Sequence, residues 1–218
     1  MKKDLSFYET RVIGVLMEKE IATPDQYPLS LNALTAGCNQ KSNRHPVLEL
    51  SEDSVAETLA SLKDKGLVRA DSYKSRVEKY AHRFCNSEFG ELRFSAQEVA
   101  VIVELMVRGP QTPGELRARA GRLTEFASVD QVEQVLEGLA HHAKGAWVQQ
   151  LPREPGRRES RYTHLFSELV EPLPVESENA GKLTGARAEI AELKARITQL
   201  EDENQNLKQR LRALGEVC

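Results

Sequence analysis

Cysteine is scarce and scattered: Cys38, Cys85 and Cys218 form an odd set without C-x-x-C spacing, which argues against both a disulfide framework and a zinc site. Long apolar runs are missing too, since no stretch approaches the roughly 20 residues that span a bilayer. Nor does Met1-Lys2-Lys3-Asp4-Leu5-Ser6 open a signal-peptide core before the first amphipathic segment. A cytoplasmic protein with free thiols and no membrane partner is therefore expected. Positive charge is not in surplus: 30 Lys and Arg stand against 33 Asp and Glu, a formal net charge of −3. Any affinity for nucleic acid must come from a local patch. The P-loop, G-x-G-x-x-G and G-x-S-x-G are all absent. His45, His82, His141, His142 and His164 show no ligand spacing with the cysteines, and adjacent histidines on a helix point to different faces. Neither an enzyme nor a metal or cofactor is expected.

What the chain does have is one pattern twice. Ser6, Glu9, Val12, Ile13, Leu16, Met17, Thr23 and Pro24 recur in order as Ser95, Glu98, Val101, Ile102, Leu105, Met106, Thr112 and Pro113, at a constant offset. Repetition on this scale means two similar domains. In the first copy, Ser6 and Glu9 make a capping box ahead of helically spaced apolar residues, a second helix runs from Ser30 to about Gln40, and a third starts at Ser51 with Val55, Leu59 and Leu62 inward. Cys38 falls on the inner face of the second helix, as a small hydrophobe. Strands at 67–70 and 77–80 follow. The second copy repeats the scheme with helices at Ser95–Arg108, Thr112–Ala120 and Ser128–His142, then a hairpin from Trp147 to Leu165.

Three helices followed by a two-stranded hairpin is the order of a winged helix, a helix-turn-helix variant. The expected fold is mainly α with small β wings: two tandem winged-helix domains, 1–83 and 95–168, joined by an apolar connector, 84–94, and followed by a C-terminal coiled-coil helix. An acidic, proline-containing linker, 169–181, separates that coil, 182–215, from the rest.

The coil carries Leu183, Ile190, Ile197, Asn204 and Leu211 at a, and Ala186, Leu193, Leu200, Leu207 and Leu214 at d. This pattern favours a two-stranded parallel coil, with Asn204 setting register. Glu189 to Lys194, Arg196 to Glu201 and Glu203 to Lys208 are g-to-e pairs of opposite sign; Lys182 to Arg187 is repulsive. Homodimerisation through Ile190, Leu193, Ile197, Leu200, Asn204, Leu207 and Leu211 is expected. No Lys or Arg occurs in 170–181, so this is not the basic helix of a leucine-zipper transcription factor.

The third helices open with acids, Glu52-Asp53 and Asp130, where a helix-turn-helix protein would meet base edges. Such carboxylates repel phosphate, and favouring the helix dipole is reason enough for them. The hairpins carry the cations: Lys74, Arg76, Lys79 and Arg83 in the first, Arg153, Arg157, Arg158 and Arg161 in the second. These eight are the candidate nucleic-acid contacts. About four of them on phosphates would give a slope of log affinity against log salt near −3.6. The competing expectation is a protein-interaction scaffold that docks a partner on its acidic helices and grooves.

Several segments carry a family resemblance: Arg11-Val-Ile-Gly-Val-Leu-Met-Glu-Lys-Glu20, Thr23-Pro-Asp-Gln-Tyr-Pro-Leu-Ser30, Cys38-Asn-Gln-Lys-Ser-Asn-Arg44, Arg83-Phe-Cys-Asn-Ser-Glu-Phe-Gly90, Gln111-Thr-Pro-Gly-Glu-Leu-Arg117 and Arg153-Glu-Pro-Gly-Arg-Arg-Glu-Ser-Arg-Tyr162. Over about residues 5 to 167 the chain resembles the uncharacterised YceH-like family of bacterial proteins. The resemblance implies a tandem winged-helix fold and no established activity. The coil lies outside it.

Overall fold

A computed structural model describes residues 4–71, 77–88, 90 and 92–167. These belong to one compact unit, Met1–Glu171. The architecture is mixed: six helices and small antiparallel sheets. The first half contains α1 (Phe7–Ala22), a 3-10 turn (Pro24–Gln26), β1 (Leu29–Ser30), α2 (Leu31–Cys38), α3 (Glu52–Asp64), β2 (Val68–Asp71) and β3 (Lys79–His82). The second contains α4 (Ala96–Arg108), α5 (Pro113–Ala120), α6 (Val129–Ala140), β4 (Val148–Gln150) and β5 (Tyr162–His164).

Local chemistry sets the helix starts. Ser6 and Glu9 form a complete capping box on α1, as do Ser95 and Glu98 on α4 and Thr112 and Glu115 on α5. Ser30, Ser51 and Ser128 accept from the third backbone N–H of α2, α3 and α6. Each such cap stabilises its helix by about 1 kcal/mol. Gly109 ends α4 at φ 72°, a conformation that glycine adopts without a Cβ penalty.

Order in the sheets is β1-β3-β2 in the first half and β4-β5 in the second. Leu29 pairs with Tyr80, and in the second half a single bridge joins Gln111 to Tyr162. The observed strands differ from the expected ones: β2 is Val68–Asp71, β3 is Lys79–His82, and β1 was not foreseen. The repeat register differs as well. Pro24 starts a 3-10 turn, whereas Pro113 starts α5, so the structural counterpart of Thr112 is Ser30 rather than Thr23. Residues 23–29 are therefore extra in the first half. Beyond them a second repeated motif emerges: Tyr80-Ala-His-Arg-Phe84 matches Tyr162-Thr-His-Leu-Phe166, with His82 opposite Val68 and His164 opposite Val148.

The core runs through both halves because the leading helices pack on each other. α1 is buried from Glu9 to Glu18 and α4 from Val99 to Val107, so neither has a solvent face over those turns. Gly14 permits the close approach: a Cβ there would stand 3.0 Å from both Met106 Cβ and Val107 Cγ1. A ring cluster closes the same junction. Trp147 stacks on Phe166 at 5.5 Å, Phe94 meets Trp147 edge-on at 5.9 Å, and Phe84 reaches Phe166 from the other half. The Leu5 N–H donates to the Phe166 carbonyl at 2.8 Å, tying the chain start to the last hairpin.

Candidate interaction surfaces and the charge network between the halves

The hairpin cations are unequal. Lys74 and Arg76 lie outside the described residues, as do the linker and Ile190, Leu193, Ile197, Leu200, Asn204, Leu207 and Leu211 of the heptads. Lys79 is half-buried in β3 opposite Asp71, while Arg83 is exposed just beyond the strand. In the second hairpin Glu154 sits between two cations: it pairs with Arg161 and lies 3.6 Å from Arg157 Nε. Arg153 and Arg158 are exposed and form no ion pair among the described residues. This hairpin also borders a cleft of about 290 Å³ with Thr112 and Glu115, whose other walls include Glu159. Two of its four arginines thus share one carboxylate within the turn itself.

The third helices present the opposite sign. α6 contains no Lys or Arg and exposes Asp130, Glu133 and Glu137, the last 3.1 Å from His141. α3 exposes Glu52, Asp53 and Glu57, with Glu52 accepting from Asn32 at 2.9 Å. Lys63, in its last turn, is directed to Glu78 at 3.5 Å. The acids expected from sequence do face solvent.

A third assembly was not read from the sequence at all. Glu18 of α1 and Glu104 of α4 are fully buried carboxylates, and Arg122, in the turn after α5, bridges them at 2.6 and 2.9 Å. Glu18 also pairs with buried Arg44, whose Nε donates to the Gly37 carbonyl at 3.0 Å. Arg11, equally buried, donates to the carbonyls of Cys38 and Pro46 at 3.1 and 2.9 Å. Together these guanidiniums clamp the α2–α3 connection onto α1, and the His45 N–H adds a bond to the Val107 carbonyl of α4 at 3.0 Å. Burial alone would raise the Glu18 carboxyl, but hydrogen bonds and charge from Arg44, with Arg122, hold it below its ordinary value. Burial, and then repulsion from Arg44, pushes Arg11 down to about 10. The one clue in sequence was an acid inside an otherwise apolar helix, Glu104 between Val103 and Leu105.

Burial pushes the Cys38 thiol up to about 12, so it stays protonated and unreactive near neutral pH. His164, buried against Phe166, is pushed down to about 4. Among the described residues no three His, Cys, Asp or Glu side chains gather as a metal site, and no helix is long and apolar enough to cross a membrane.

The family model described as "Protein of unknown function, DUF480" matches residues 5–157. The chain belongs to the DUF480 family. The YceH-like resemblance of its segments agrees with this membership. A UPF0502 protein of Hahella chejuensis is 59% identical over 218 residues, covering 100% of both chains. One from Serratia proteamaculans is 51% identical over 217 residues, 99% of this chain and 98% of the relative. One from Saccharophagus degradans is 61% identical over 163 residues, 75% of this chain and 73% of its own length. The DUF480 match spans the charge network whole but ends before Arg158 and Arg161 of the second hairpin.

Proposed function

We propose that this DUF480 member is a non-enzymatic binding protein made of two winged-helix-like modules, in which the third helices dock a partner rich in basic side chains. The single observation that carries this reading is α6, which exposes Asp130, Glu133 and Glu137 and holds no cation. A recognition helix of that charge repels the phosphate backbone. Non-nucleic partners gain complementary charge and faster association from the same surface. In this reading the heptads at 182–215 make a homodimer, so that two copies of each surface act together, and the protein works in the cytoplasm.

A second reading has one observation in its favour. Arg153 and Arg158 are exposed cations without a carboxylate partner in the second hairpin, and Arg83 is exposed beside the first. In that case the wings contact nucleic acid.

The test is capture from lysate on the full chain, with and without nuclease, beside a Glu133→Lys/Glu137→Lys variant. Partners that survive nuclease and disappear with the charge reversal support docking on α6. Retention that nuclease abolishes and the reversal leaves intact supports the wings instead.

A further inference from the structure

The charge network is short of negative charge. Among the described residues Arg11, Arg44, Arg108, Arg119 and Arg122 stand together with three carboxylates, Glu18, Glu104 and Glu115. Arg122 is saturated by Glu18 and Glu104, and Arg119 donates to Gln111 Oε1 at 2.8 Å and to Glu115 at 3.3 Å. Arg108 is the most weakly paired of them, its one ionic partner among the described residues being Glu104, which Arg122 already engages. Its Nε lies 3.8 Å from Glu104 Oε2, an ionic contact beyond hydrogen-bond reach, and both atoms are buried without a hydrogen-bond partner among the described residues. Yet the site is open to solvent at its rim, since the Arg108, Arg119 and Arg122 side chains are 23%, 35% and 38% exposed. Gln111 ties the group together, donating to the Glu104 carbonyl at 3.0 Å while accepting from Arg119.

A buried guanidinium N–H without an acceptor, as at Arg108 Nε, costs about 1–3 kcal/mol. The C-terminus of α4 offers about half a negative charge, too little to offset two surplus cations. Phosphate supplies two charges and several acceptor oxygens that match the N–H forks of arginine, whereas chloride supplies one charge and no directed geometry. We propose that Arg108, flanked by Arg119 and Arg122, anchors a site for a phosphate group, carried either by the free ion or by a small monoester. The site uses none of the hairpin cations and none of the exposed acids of α3 and α6.

The experiment follows thermal unfolding of the full chain against inorganic phosphate and against glycerol phosphate, with chloride holding ionic strength constant. A saturable rise in the midpoint is expected, with phosphate alone assigning the free ion and both ligands assigning the monoester head. Arg108→Ala should weaken binding about tenfold or more, and Arg153→Ala should leave it unchanged. In the unsubstituted chain, phosphate should slow phenylglyoxal labelling of Arg108, a readout that does not depend on a variant folding. The proposal is overturned if phosphate acts no differently from chloride, or if Arg108→Ala binds as the parent does. It is overturned equally if duplex DNA, and not phosphate, protects Arg108.

Discussion

Phe84 and Phe166 occupy the same place in the two halves and touch, their ring centroids 5.0 Å apart and their planes at 80°. Each closes a Tyr-x-His-x-Phe motif that leaves the last strand of its sheet. Equivalent residues in mutual contact mean that the halves share one core instead of lying side by side. Removing either ring should therefore cost about 3–5 kcal/mol. The double replacement should cost less than the two singles added, because the rings are each other's neighbours. Chemical unfolding followed by circular dichroism checks this, and additive losses would contradict a shared core.

The clamp at Glu18 gives a graded prediction. Arg44→Ala leaves a buried carboxylate with one cation in place of two, and a loss of about 3–5 kcal/mol is expected. Arg122, 38% exposed, should matter less, since Arg44 still holds Glu18 after its removal. Unfolding midpoints of the two variants rank them. The opposite order would move the weight of the network to Glu104.

Acid sensitivity should begin at His164. Burial lowers its folded value to about 4 from an ordinary 6.5, so between those limits the unfolded chain takes up a proton that the folded chain refuses. Stability is fully present above 6.5 and declines as pH falls towards 4, by about 3 kcal/mol in all. Glu18, held below its ordinary value of 4.5, adds its loss only under that pH. Urea titrations at pH 7.5, 6 and 5 check the window. His164→Gln should flatten it, and an unchanged slope in that variant would assign the sensitivity elsewhere.

Short-range chemistry was the legible part of this fold. The capping boxes at Ser6–Glu9 and Ser95–Glu98 involve residues three apart and follow from the sequence directly. Helix α2 and the inward residues Val55, Leu59 and Leu62 of α3 were legible for the same reason. The repeat is legible only to Thr23-Pro24, because residues 23–29 shift the register and conceal the match between Tyr80–Phe84 and Tyr162–Phe166. Contacts across the halves were the illegible part. Glu18 meets Arg44 and Arg122 through packing of α1 on α4, and no local pattern couples those positions. Charge signs on the third helices were readable, but the pairing of Glu154 with Arg157 and Arg161 depends on how the hairpin turns back on itself.

Titration of a labelled nonspecific duplex with the full chain, at 50 and 200 mM salt, tests most directly whether the exposed acids of α3 and α6 rule the molecule's choice of partner. No saturable binding at either concentration is the expected result. Saturable binding with a log–log salt slope near −1.8, the value for about two phosphate contacts, and lost in Arg153→Ala/Arg158→Ala, would contradict it and assign the function to the hairpin.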